Sequence, residues 1–101
     1  MQILARTTKM KAIFRVVQQG EAFAVQSQKS DSGHTMKCGI VLQELGGKFG
    51  NQYAGTLLGG AAQCRYCPGD VVAASLRFSV HEHGGAMYQD ILVTDIVPLG
   101  K

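Results

Sequence analysis

Residues 71–80 alternate in chemistry with period two: Val72, Ala74, Leu76, Phe78 and Val80 share one side, opposite Ser75, Arg77 and Ser79. Successive side chains of an extended chain point to opposite faces, so the pattern dictates a strand with one buried face and one wetter face. Pro68-Gly69-Asp70 supplies a compact turn into it. Helical periodicity is nearly absent from the rest of the chain, where short alternating stretches are separated by glycine-rich turns.

Four further strands are predicted. Residues 10–17 place Ala12, Phe14 and Val16 against Lys11, Ile13 and Arg15. Gly20 interrupts that strand, residues 22–28 resume it, and the spacing predicts one long first strand with a sharp coil. The polar turn at 29–34 leads to an apolar-rich strand at 35–45 through Met36, Cys38, Ile40 and Leu42, and the turn at 46–50 leads to a third strand at 52–58. Residues 59–66 hold the one predicted helical turn. Gly84-Gly85 then forms a hairpin turn into a fifth strand at 87–97, whose Ile91, Val93 and Val97 are expected to point one way. Phe14, Phe23 and Phe78 are assigned to the core, and Cys64 and Cys67 are read as small buried residues at the helix end.

The chain of 101 residues suits one domain, residues 1–101, because domains commonly run to about 100–150 residues. So small a chain buries only about 60–70% of its unfolded surface, and a homodimer or homotetramer is the expected supplement. No apolar run approaches the roughly 18–20 residues that span a bilayer, and no signal-peptide pattern opens the chain, so a cytoplasmic setting with no membrane contact is expected. Three cysteines, an odd number, read as reduced thiols rather than a disulfide framework. A net charge of +3 permits polyanion binding but falls short of the cationic excess of a dedicated duplex binder.

An all-β chain of five strands with one short helix between the third and fourth is the element order of the oligonucleotide-binding (OB) barrel. Within that order, Gly69-Asp70-Val71-Val72 opens a strand that carries an arginine, a hairpin follows, and Tyr88-Gln89-Asp90-Ile91-Leu92-Val93 runs on to Asp95-Ile96-Val97-Pro98-Leu99. The last third of the chain thereby resembles the bacterial single-stranded-DNA-binding protein family, which commonly has a glycine-acid-valine start to its fourth strand and a tyrosine-led fifth. The resemblance implies single-stranded DNA, in preference to RNA, as partner, in replication, recombination or repair. Two features depart from the family: the chain has no tryptophan and no acidic glycine-rich tail. A compact relative, of a mobile-element or primosome-like kind, fits those departures.

A generic single-strand binder needs flat rings that stack on bases and cations that follow phosphates. On the OB face and its loops the candidates are Lys29, His34, Lys37, Lys48, Phe49, Tyr53, Arg77, His81 and His83, with Lys11 and Arg15 added from the basic first strand. Tyr53 and Tyr88 are more often core or interface aromatics than base-stacking rings, and an outward lysine or arginine is most often only solvated. His81-Glu82-His83 lacks the third and fourth ligands of a zinc site, and Cys64-Arg65-Tyr66-Cys67 lacks a second cysteine pair or a thioredoxin-like frame, so neither metal nor cofactor is expected. With no nucleophile elbow, phosphate loop or framed pair of acids, catalysis is not expected. The alternative is a protein-interaction module that uses the same barrel and meets nucleic acid only incidentally.

Overall fold

A computed structural model describes residues 8–26, 33–45 and 50–100. In chain order the elements are β1 (Thr8–Gln19), β2 (Phe23–Gln26), β3 (His34–Glu44), β4 (Gln52–Leu58), α1 (Gly60–Gln63), β5 (Val71–His83) and β6 (Ala86–Gly100). The strands lie in the order β1-β5-β6-β4-β3-β2, and β1 also pairs with β3, so the sheet closes into a ring. All pairings are antiparallel except that of β4 with β6, a parallel bridge at Thr56 and Leu92.

The alternating apolar residues fill this ring. Phe14 and Val16 from β1, Cys38, Ile40 and Leu42 from β3, Leu57 from β4, Val72, Ala74 and Leu76 from β5 and Val93 from β6 are all buried. Among the described residues no polar side chain is buried with them. The short helix closes one end: Ala62 is buried, its carbonyl accepts from the Cys38 thiol at 3.6 Å, and Gly59 N–H donates to Met36 at 2.8 Å. At the closure, Gly55 faces inward between Ile40 and β6, and a Cβ there would stand 3.1 Å from Val93 Cγ2. A larger residue there would require the Val93 side chain to give by a few tenths of an ångström, so glycine suits this close approach of β6 to β4.

The strand count differs from the five expected, because residues 20–22 leave the ladder and divide the first strand into β1 and β2. Gln19 lies opposite Ile40 and Phe23 opposite Lys37, so three residues on this strand face two on β3. That single extra residue reverses the side to which everything beyond it points. Phe23, expected in the core, is therefore 54% exposed and shares the outer face with Lys37.

A second expectation fails for the same reason. Between the pairs Leu76–Val93 and Ser75–Asp95 an extra residue, Thr94, interrupts β6. Ile96 then packs against the core while Val97 turns outward and is 48% exposed. Val80 keeps the phase of its strand but lies past the end of the core, half-exposed. From Val80 to Asp90 every residue is exposed, so the β5–β6 hairpin projects beyond the ring as an arm. Its two-residue tip has both glycines at positive φ, 63° at Gly84 and 84° at Gly85, which matches the right-handed twist of the paired strands.

The two sides of the Thr94 bulge separate in a stability measurement. Leu76→Ala is expected to cost about 2–5 kcal/mol in urea denaturation. Val97→Ala, which removes only outward-facing atoms, should stay within about 0.5 kcal/mol; a core-sized loss there would contradict the bulge.

Candidate nucleic-acid interface

Directly opposed residues on neighbouring strands share a face, so the ladder fixes what the outside of the ring displays. One row runs from Phe23 on β2 through Lys37 on β3 to Leu58 on β4. Beside it a second row runs Gly39, Thr56, Leu92, Arg77, Lys9, crossing β3, β4, β6, β5 and β1. Farther along the hairpin come the outward pairs Ser79–Asp90 and His81–Tyr88.

The rows enclose an open groove. A depression of about 260 Å³ lies between Lys37, Thr56 and Leu58 on one bank and Arg77, Ser79 and Leu92 on the other. Thr56 also borders an adjoining hollow of about 380 Å³ whose other walls include Gln18, Gly20, Gly39 and Ala54. The two cations belong to different halves of the sheet and meet across the groove because the ring closes between them. At one side stands the half-exposed Phe23 ring. At the other stands Tyr88, 48% exposed and stacked on His81 at 5.7 Å with 27° between planes. His81 Nδ1 lies 3.0 Å from Asp90 Oδ2, which fixes the imidazole that Tyr88 rests on.

Of the residues singled out from sequence, Lys37 and Arg77 come together in this groove, while His81 lies farther along the arm, with His83 on the same side at its tip. Lys11 faces Ser75 on the flank beyond Arg77, where Lys9 joins it opposite Arg77 itself. Arg15 lies farther along β1 and donates to the Gly69 carbonyl at 3.2 Å, steadying the turn before β5. His34 lines a different depression, with Met36, Gly59 and Gln63, near the helix. Lys29, Lys48 and Phe49 lie outside the described residues.

Tyr53 faces the interior. Its ring meets Phe14 and Phe78 edge to face, each at 5.9 Å, and its hydroxyl donates to Glu44 Oε1. That hydrogen bond, then burial and the Glu44 charge, raise its pKa above the ordinary 10, with a smaller opposing contribution from Asn51. The ring is thus part of the support beneath the groove.

Cys64 and Cys67, expected to be buried, are exposed free thiols, because α1 ends at Gln63 and the chain leaves the ring's end after it. Cys38 is the buried cysteine. Among the described residues no three His, Cys, Asp or Glu side chains gather as a metal site. The segment after the helix is nevertheless well anchored: Gln19 Nε2 donates to Cys64 O at 2.8 Å, Tyr66 N–H donates to Gln19 Oε1 at 2.8 Å, and Arg65 Nη1 donates to Gly20 O at 2.7 Å.

Phe23, Lys9 and Tyr88 are not among the site residues expected from sequence, where Tyr88 reads more readily as a core or interface ring than as a base-stacking one. The Tyr88 position was accessible from sequence, since a two-residue turn at Gly84-Gly85 pairs His83 with Ala86 and hence His81 with Tyr88. Phe23 was not, since its facing depends on a count of residues on β3 that no local pattern in β2 records.

No protein-family model matches the chain, and no curated protein matches it in sequence. Solved structures do match. The second OB-fold domain of replication protein A from Methanococcus maripaludis aligns over 97% of this chain and 86% of its own, with a TM-score of 0.58 and 17% identity. A mitochondrial single-stranded DNA-binding protein from S. cerevisiae aligns over 94% of this chain and 98% of its own, with a TM-score of 0.57 and 17% identity. The chain therefore has the OB-fold. Neither of these two structures is of a bacterial single-stranded-DNA-binding protein, the family that the sequence resembles.

The Tyr53 environment makes a pH prediction. A tyrosine pKa raised by folding contributes stability that is fully present below the unfolded value of about 10 and is lost as pH rises through the folded value. Urea denaturation from about pH 8 to pH 11 should show wild type losing more stability than Tyr53→Phe above about pH 10, with Tyr66 present in both. Equal losses would remove the Glu44 interaction from the account.

Proposed function

We propose that this protein binds single-stranded DNA with little sequence preference, laid across the outer faces of β3, β4, β6 and β5. The observation that carries the reading is the placement of two half-exposed rings, Phe23 and Tyr88, on the same face of an OB sheet as Lys37 and Arg77. Base faces stack on rings irrespective of sequence, and cations beside them follow the phosphates. Thr56 and Leu92 lie between the two cations, and Gly39 and Ala54 in the adjoining hollow add no side-chain hydrogen-bonding group to read base edges. Asp90 faces the same side, but His81 lies against it. The two OB-fold structures described above, a domain of replication protein A and a single-stranded DNA-binding protein, support a binding role, and we place it in replication, recombination or repair.

The protein acts as a homodimer or homotetramer on this reading, since a small ring gains most from a shared interface. The rival, a protein-interaction module, finds its support in the opposite side of the arm, where Val80 and Met87 are 50% and 67% exposed.

Fluorescence anisotropy with a labelled oligothymidylate of about 30 nucleotides, long enough for two or more OB footprints, tests the reading. Affinity should fall steeply with salt. Phe23→Ala and Tyr88→Ala should each cost about 1–3 kcal/mol of binding, and Lys37→Ala with Arg77→Ala should flatten the salt dependence. An unchanged anisotropy at low salt would overturn it and favour the interaction module.

A further inference from the structure

We infer that Arg65 and Gln19 are positioning residues for the Phe23 ring, holding the one-residue offset that turns it out of the core and into the groove. The inference rests on the binding reading for its functional half and on the register alone for its structural half.

The offset lies in residues 20–22, between the pairs Gln19–Ile40 and Phe23–Lys37. With equal residue counts on the two strands Phe23 would stand opposite Met36, a partly buried residue packed against the core. Such a one-residue slip exchanges the faces of a strand, so something must specify the longer path. Of the corner residues only Ala22 packs against the core, a single methyl, while Gly20 and Glu21 are exposed. The corner's polar anchors come from β3 and from the segment after α1. Gly20 N–H donates to Gly39 O at 2.8 Å on one side. On the other, the Arg65 guanidinium donates to Gly20 O at 2.7 Å and to Gln19 O at 3.5 Å. The Gln19 side chain donates to Cys64 O and accepts from Tyr66 N–H, both at 2.8 Å, which in turn fixes the segment that carries Arg65. Only Glu21 and Ala22 separate the anchored Gly20 carbonyl from Phe23, too few for the ring to recover its facing if the corner shifts.

Arg65 is itself an exposed cation, so a direct phosphate contact has to be distinguished from positioning. A double-mutant cycle on oligothymidylate affinity does this. Arg65→Ala is expected to weaken binding about tenfold in the wild type, of the order of one lost base stack, and less than about twofold in the Phe23→Ala background. A loss equal in both backgrounds would mean a phosphate contact and overturn the inference. So would a Phe23→Ala variant that binds as wild type while Tyr88→Ala does not, although the binding reading would then survive.

A readout without DNA uses the absence of tryptophan from the chain. In Phe23→Trp the single indole should emit as an exposed ring. Adding Arg65→Ala or Gln19→Leu should lower its steady-state anisotropy or move its emission to the blue as the ring loses its outward position. An indole whose emission and anisotropy ignore both substitutions would overturn the structural half, whether or not DNA binds.

Discussion

The approach of β6 to β4 at Gly55 is the contact on which the ring depends. Val93 and Ile91 come so near the β4 backbone that a Cβ at Gly55 would crowd the Val93 side chain. A single parallel bridge, Thr56 with Leu92, joins the two strands there. Without it the sheet would remain open, leaving two unpaired edges and an exposed core. The same contact makes the candidate site, because it carries Lys37 and Leu58 on one half of the sheet to within one groove of Arg77 and Leu92 on the other. Closure and site formation are one event in this fold.

Beneath the groove the support is aromatic. Phe14, Tyr53 and Phe78 meet edge to face, from β1, β4 and β5, and tie together the strands that present the outer residues. The favourable geometry of such ring pairs adds to their burial. The Tyr53 hydroxyl finds Glu44, so a polar group at the edge of the core has its partner. A ring that sequence alone offers as a stacking platform thus belongs to the scaffold, and the exposed rings are others.

The sequence is most legible where one strand runs unbroken. The β5 alternation, the Gly84-Gly85 hairpin and the helical turn before Pro68 all appear at or near the expected positions, because each is set by residues close in the chain. The errors come from insertions. Val17, the corner at 20–22 and Thr94 each add a residue that one strand has and its partner lacks. Facing beyond such a point depends on the other strand, so Phe23 and Val97 were misplaced although their own neighbourhoods look regular. Cys64 and Cys67 were misplaced for another reason: the helix is only four residues long, and the chain after it is held at the surface by side chains from β1. The class of fold survives these errors, since it depends on the number and order of apolar stretches and not on the facing of any one residue.

The arm formed by the ends of β5 and β6 has no core under it beyond Phe78 and Ile91, and its tip is two glycines free of steric neighbours. Its reach is accordingly decoupled from the integrity of the ring. Relatives of this chain could lengthen or trim it without rebuilding the interior, provided the change came as matched residues on both strands. An unmatched residue would reverse the facing of one strand alone and part His81 from Tyr88. Arm length is in that sense an evolutionary dial that turns only in paired clicks.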